Sequence, residues 1–141
     1  MNELIVKNTE SIKTASEVMN TGISYTDMDL SNVTVAKDFY NAVSQPDISL
    51  KECVNIPIAM THVSIEVCEV HSEQNGDVIA PRIVIMDEDG KSYQAVSVGV
   101  YQSLKRIFAL FGTPNTWSKP LTVVPMLTST KKGQVLSLRL A

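Results

Sequence analysis

The residues with the most chemistry to offer are basic, and they gather in one half of the chain. From Lys91 to Ala141 the sequence holds Lys91, Lys105, Arg106, Lys119, Lys131, Lys132 and Arg139, seven cations, and no Asp or Glu. The first fifty residues hold three basic and seven acidic side chains, so the net charge of -3 conceals the division. A segment of cations without acids attracts a polyanion, and nucleic acid is the first candidate. Two aromatic residues, Tyr93 and Trp117, stand among these cations and can stack on bases. The plainer alternative is a set of solvated lysines scattered over one surface.

Other chemistry lacks its residues. There is no G-x-S-x-G nucleophile motif and no phosphate-binding Gly-Lys loop, so no catalytic residue and no enzyme activity is expected. Asp87, Glu88 and Asp89 resemble a metal-binding triplet, but solvated acids are ordinary in a tight turn. Cys53, His62, Cys68 and His71 do not reproduce the paired short spacings of zinc modules. No metal and no cofactor is therefore expected, and the cysteines are read as small free thiols in a reducing cytoplasm. No apolar run approaches the ~20 residues that span a bilayer, and the opening MNELIVKNTE lacks a signal-peptide pattern.

These side chains need a scaffold. With 44% apolar and 19% charged residues in 141, the chain can bury a core. Residues 1–31, rich in Ser, Thr and Asn, read as an N-terminal extension with a short helix over Ser11–Asn20. Asn32–Val43 reads as a first extended segment, from the alternation of Val33 and Val35, followed by a turn at Pro46-Asp47. Ile58–Val70 alternates Val63, Ile65 and Val67 with polar neighbours and predicts a long strand. A loop over Ser72–Asp77 leads to a strand over Val78–Met86, a tight turn at Asp87–Gly90, and a strand over Tyr93–Val98. Tyr101, Leu104, Ile107, Phe108 and Phe111 then follow helical spacing until Gly112 and Pro114. Leu121–Leu127 and Gln134–Leu140 predict two more strands, with Pro125 marking an edge or a bulge.

Three strands, a helix and two strands describe a mainly β domain over 32–141: a five-stranded OB-like barrel with one helix between strands three and four. Such barrels bind oligonucleotides across strands two and three, flanked by the loops after strands one and four. If Val96 and Val98 point inward with Ile83 and Ile85, then Tyr93 and Arg82 face outward together on that surface. Lys131 and Lys132 occupy the last turn, and Arg139 alternates outward from Leu136, Leu138 and Leu140. The expected contact residues are Tyr93, Arg82, Lys91, Lys131, Lys132, Arg139 and Trp117. Lys105 and Arg106 fall outside the set, because the helix closes the end of the barrel. Trp117 is equally readable as a lid over that end, and Phe39 and Tyr40 either cover the barrel or extend the ligand face.

Two segments resemble a known family. Asp89-Gly90-Lys91-Ser92-Tyr93-Gln94-Ala95-Val96-Ser97 and Ser129-Thr130-Lys131-Lys132-Gly133-Gln134-Val135-Leu136-Ser137-Leu138-Arg139-Leu140 are similar to a turn-tyrosine strand and a lysine-glycine turn with final strand in the single-stranded-DNA-binding proteins of small protein-primed Bacillus phages. Phe39-Tyr40-Asn41-Ala42 is a fainter match, and the similarity runs from about Asp29 onward. The resemblance implies a protein that coats displaced single strands during phage or mobile-element replication in the bacterial host cytoplasm, with replication proteins as further partners. It also implies base stacking at Tyr93, although the family's other tyrosines around the first strand have no counterpart. DNA and RNA are both open as ligands, because stacking does not sense the 2′-OH. The alternative function is an OB-type interaction module that binds an acidic protein partner.

Overall fold

The computed structural model describes residues 25–72 and 76–141. Most of the expected extension, including the Ser11–Asn20 helix, and the centre of the Ser72–Asp77 loop lie outside the described residues. Seven strands form a single sheet: β1 (Tyr25–Thr26), β2 (Ile48–Ser49), β3 (Ile58–Ser72), β4 (Gly76–Asp87), β5 (Ser92–Val96), β6 (Leu121–Thr130) and β7 (Gly133–Leu140). Helix α1 spans Val33–Ser44 and helix α2 spans Val98–Phe111. The sheet runs β2-β5-β4-β3-β6-β7, with β1 on β3. The five expected strands are β3 to β7, in the expected order around α2, and β1 and β2 are short additions.

The sheet curls because β3 changes partner along its length. Its start, Ile58–Met60, pairs with β6, and from Met60 to Ser72 it pairs with β4. The register slips between Met60 and His62, and such irregularities sharpen the local twist. Where β6 has left, β1 takes its place, pairing Tyr25 with Ile65. Pro125 lies beyond the β3–β6 pairing, at a local edge, and its carbonyl accepts the Asn55 amide at 2.8 Å. That is the tolerated place for a residue without an N–H.

The concave side is the core. Ile58, Met60, Val63, Ile65, Ile83, Ile85 and Val123 enter it from the sheet, and Val100, Tyr101, Leu104 and Ile107 from α2. Each such large aliphatic side chain contributes about 1.5–3 kcal/mol on burial. Tyr25 is also in this cluster, so the chain is built into the sheet from residue 25, inside the stretch read as an extension.

Helix α2 closes the half-barrel against β7. Ser97 caps it, its hydroxyl accepting the Val100 amide at 3.0 Å. The Ser97 and Ser103 hydroxyls then meet the free edge of β7: one donates to the Leu136 carbonyl at 3.3 Å, the other accepts the Leu138 amide at 3.0 Å. Gly99 permits this approach, since a Cβ there would collide with the Leu136 carbonyl oxygen. The edge is thus blunted by a helix rather than by another strand.

Asn32–Val43 is not extended. It is α1, with Asn32 as N-cap accepting the Val35 amide at 3.1 Å. The Val33–Val35 alternation spans only three residues. The longer pattern, Val35, Phe39, Ala42 and Val43, has helical spacing and supplies the side that packs.

Candidate nucleic-acid interface

The β4–β5 hairpin decides which way Tyr93 points. Cross-strand partners share a face, and Tyr93 lies opposite Ile85. Since Ile85 is fully buried, Tyr93 follows it inward and is only 8% exposed. Its hydroxyl donates to Asp87 Oδ2 at 2.7 Å, and burial followed by this bond pushes the phenol's pKa upward. The expectation of an outward Tyr93 beside Arg82 is corrected: Val96, opposite Arg82, is the exposed neighbour. Val98 is not on the strand but begins α2, and it too is exposed. An aromatic ring with a polar tip suits a core position that supplies an acceptor, which apolar alternation alone does not reveal.

Arg82 does face the convex side of the sheet, but α1 lies over it. The guanidinium donates to Glu66 Oε1 at 3.0 Å, to the Val43 carbonyl at 2.7 Å and to Gln94 Oε1 at 3.2 Å. Phe39, Ala42 and Val43 of α1, with Met28, pack over His62, Ser64, Val84 and Met86. This is why Val84 is buried although it alternates with the core residues Ile83 and Ile85. Phe39 therefore covers the sheet, whereas Tyr40 is exposed on the far side of α1. The surface that OB barrels use for ligands is largely occupied here by the chain itself.

The cations are less engaged, and Arg139 donates only to the neighbouring Leu140 carbonyl, at 3.4 Å. Lys91, Lys105, Arg106, Lys119, Lys131, Lys132 and Arg139 are all exposed, and none forms an ion pair with a described residue. Lys91 holds its ammonium 5.9 Å from the Tyr93 ring centre. Lys131 and Lys132 form the tip of the β6–β7 hairpin, exposed from Thr128 to Val135. Gly133 has φ 120° there, a backbone that favours glycine. Arg139 points outward on β7, as expected. Trp117 packs partly against the core and donates Nε1–H to the Phe111 carbonyl at 2.9 Å, so it lies as a lid at the end of α2.

A sequence model of the family described as phage single-stranded DNA-binding protein matches residues 10–141. The chain belongs to that family. Single-stranded DNA is accordingly the ligand class of this family member, and its members are binders rather than enzymes. No solved structure matches the chain. For a phage single-stranded-DNA-binding protein the division of charge is informative. The acids Asp38, Asp47 and Glu66 stand on or around the α1-covered side, while the segment from Lys91 to Ala141 carries cations and no acid.

Several other ionisable groups hold the fold together. Asp87 Oδ1 accepts the amides of Asp89 and Lys91, both at 2.9 Å, and so shapes the hairpin turn. Asp47 Oδ2 accepts the Ser92 amide at 2.9 Å and fastens β2 to β5. Asp27 is buried, accepts the Val63 amide at 2.7 Å and holds His62 Nδ1 at 2.7 Å. That bond raises the His62 pKa against the opposing effect of burial. Cys53 is buried in the core, and burial pushes its thiol pKa up. Cys68 is a free thiol on β3, and the His71 side chain lies outside the described residues. Among the described residues no three His, Cys, Asp or Glu side chains converge on a metal position, and no helix is long and apolar enough to cross a membrane.

Sequence reasoning missed three features. The Asp27–His62 pair joins residues thirty-five apart, with no local signature. The docking of Ser97, Gly99 and Ser103 on β7 is visible only as a Gly and two Ser on one side of a helix. Leu110 and Phe111 are exposed, although helical spacing groups Phe111 with the packed residues Tyr101, Leu104, Ile107 and Phe108; the helix runs on past the turn that closes the core.

Proposed function

We propose that the chain binds single-stranded DNA without sequence preference through its acid-free segment from Lys91 onward, on an OB-like barrel, and coats strands displaced during phage replication. The observation that carries this reading is the set of seven exposed cations unpaired among the described residues, in a member of a single-stranded-DNA-binding family. Lys131, Lys132 and Arg139 hold phosphates along the β6–β7 hairpin and β7, with Lys91 and Trp117 as further contacts. Phosphate contacts carry affinity but no sequence information, so oligonucleotides of different sequence bind alike. Arg82 and Tyr93 are left out, because one is spent on α1 and the other is inside the core.

Nuclease protection tests this. Single-stranded DNA of mixed sequence, saturated with the protein at low salt, is expected to resist digestion as well as oligo(dT) does, and to lose protection as salt rises. Protection confined to one sequence would contradict the reading. An acidic polypeptide that binds while oligo(dT) does not would point to the protein-interaction module instead.

A further inference from the structure

We propose that the C-terminal end of α2 is a second contact region for single-stranded nucleic acid, with the Phe111 ring stacking on a base and Lys105, Arg106 and Lys119 holding phosphates. The proposal rests on the single-strand reading above and adds a site to it.

Leu110 is 73% and Phe111 46% exposed, side by side at the end of an otherwise well-packed helix. Single apolar residues on a surface need no explanation. These two, however, lie on a fixed support. The Gly112 amide donates to the Phe108 carbonyl at 2.9 Å and ends the helix with φ 79°. The Phe111 carbonyl accepts Trp117 Nε1–H at 2.9 Å, and Trp117 in turn packs on the core. The backbone under Phe111 is thereby held on both sides, which lowers the ordering cost of a partner.

Charge then selects the partner. Arg106 lies one turn before Leu110 on the same side of α2, and Lys105 and Arg106 are about 8–9 Å from Phe111 along the helix at 1.5 Å per residue, on other faces than its ring. Lys119 follows Trp117 by two residues. All three are exposed and make no ion pair with a described residue. The helix C-terminus opposes an anion with about half a negative charge. Three full positive charges outweigh it. An exposed apolar pair at a helix end that also carries cations without ion pairs matches a ligand that alternates bases with phosphates. The convex β3–β4 surface offers a poorer path, since uncovering it means stripping α1 from Val84 and Met86 and releasing Arg82.

The test uses the full chain, oligo(dT) and the fluorescence of Trp117, the only tryptophan. Oligo(dT) is expected to change Trp117 emission on binding. Phe111→Leu keeps an apolar side chain, and it is expected to weaken binding about tenfold with the salt slope unchanged. Lys105→Ala with Arg106→Ala is expected to lower the slope of log affinity against log salt by about 1.4, the value for two single-strand phosphates. If wild type binds with Trp117 emission unaltered, or both variants keep wild-type affinity and slope, the site is wrong. Displacement of oligo(dT) by polyglutamate at equal charge would overturn the stacking component. Failure of wild type to bind oligo(dT) at all would instead overturn the single-strand reading itself.

Discussion

Arg82 and Val43, thirty-nine residues apart, are joined by a guanidinium N–H donated to a main-chain carbonyl at 2.7 Å. The bond closes α1 over the surface where an OB barrel would take its ligand. Arg82→Ala removes it and strips Glu66 and Gln94 of the same partner. The variant is expected to lose about 1–3 kcal/mol in urea denaturation, while the salt slope of single-strand binding stays as in wild type. A folded variant of wild-type stability with a shallower slope would show that Arg82 meets phosphates.

Tyr93 makes the complementary case from inside the core. Tyr93→Phe deletes the hydroxyl that donates to Asp87 and leaves the ring in place. A loss of about 0.5–1.5 kcal/mol in stability is expected, with oligo(dT) affinity unchanged. Weakened binding without a loss of stability would restore Tyr93 to the DNA surface.

The existence and order of β3 to β7 and α2 are legible in their periods, although the five residues of β5 are too few to fix which face points inward. The inward set Ile83 and Ile85 and the outward Arg139 followed directly. Where sequence and structure differ, a short apolar alternation conflicts with a cap or with a cross-strand partner. Val33 and Val35 suggested a strand where Asn32 caps a helix. Val96 and Val98 suggested a core face where Ile85 had already assigned it to Tyr93. Arg82 was correctly set on the convex side, but a helix read as a strand could not be seen to cover it. Helix α2 does lie at the barrel's end, where the sequence expects it, but Lys105 and Arg106 on it are both exposed.

The fit between α2 and β7 has no spare volume at Gly99. Gly99→Ala puts a methyl group against the Leu136 carbonyl oxygen and 2.9 Å from Val135 Cγ1. Backbone must move to admit it, at a cost of about 1–3 kcal/mol. Thermal and urea denaturation should both register the loss. A variant as stable as wild type would mean that α2 does not seat on β7 as described.

Stability should also depend on pH through His62. Its bond to Asp27 raises the folded pKa above the ordinary 6.5. A group raised on folding contributes its stability fully below the unfolded value and loses it as pH climbs through the folded one. The urea midpoint is therefore expected to fall as pH rises above the ordinary histidine value of about 6.5, and His62→Gln should flatten that fall. A midpoint that rises over this range, in wild type but not in His62→Gln, would reverse the assignment.

The central claim is that the acid-free segment from Lys91 onward grips single strands, and one competition experiment meets it most directly. Labelled oligo(dT) bound to the protein is challenged with unlabelled single strand or with duplex of equal length, at several salt concentrations. Single strand is expected to displace the label at far lower concentration than duplex, because only unpaired bases can stack, and both should weaken as salt rises. Equal displacement by duplex would contradict the account.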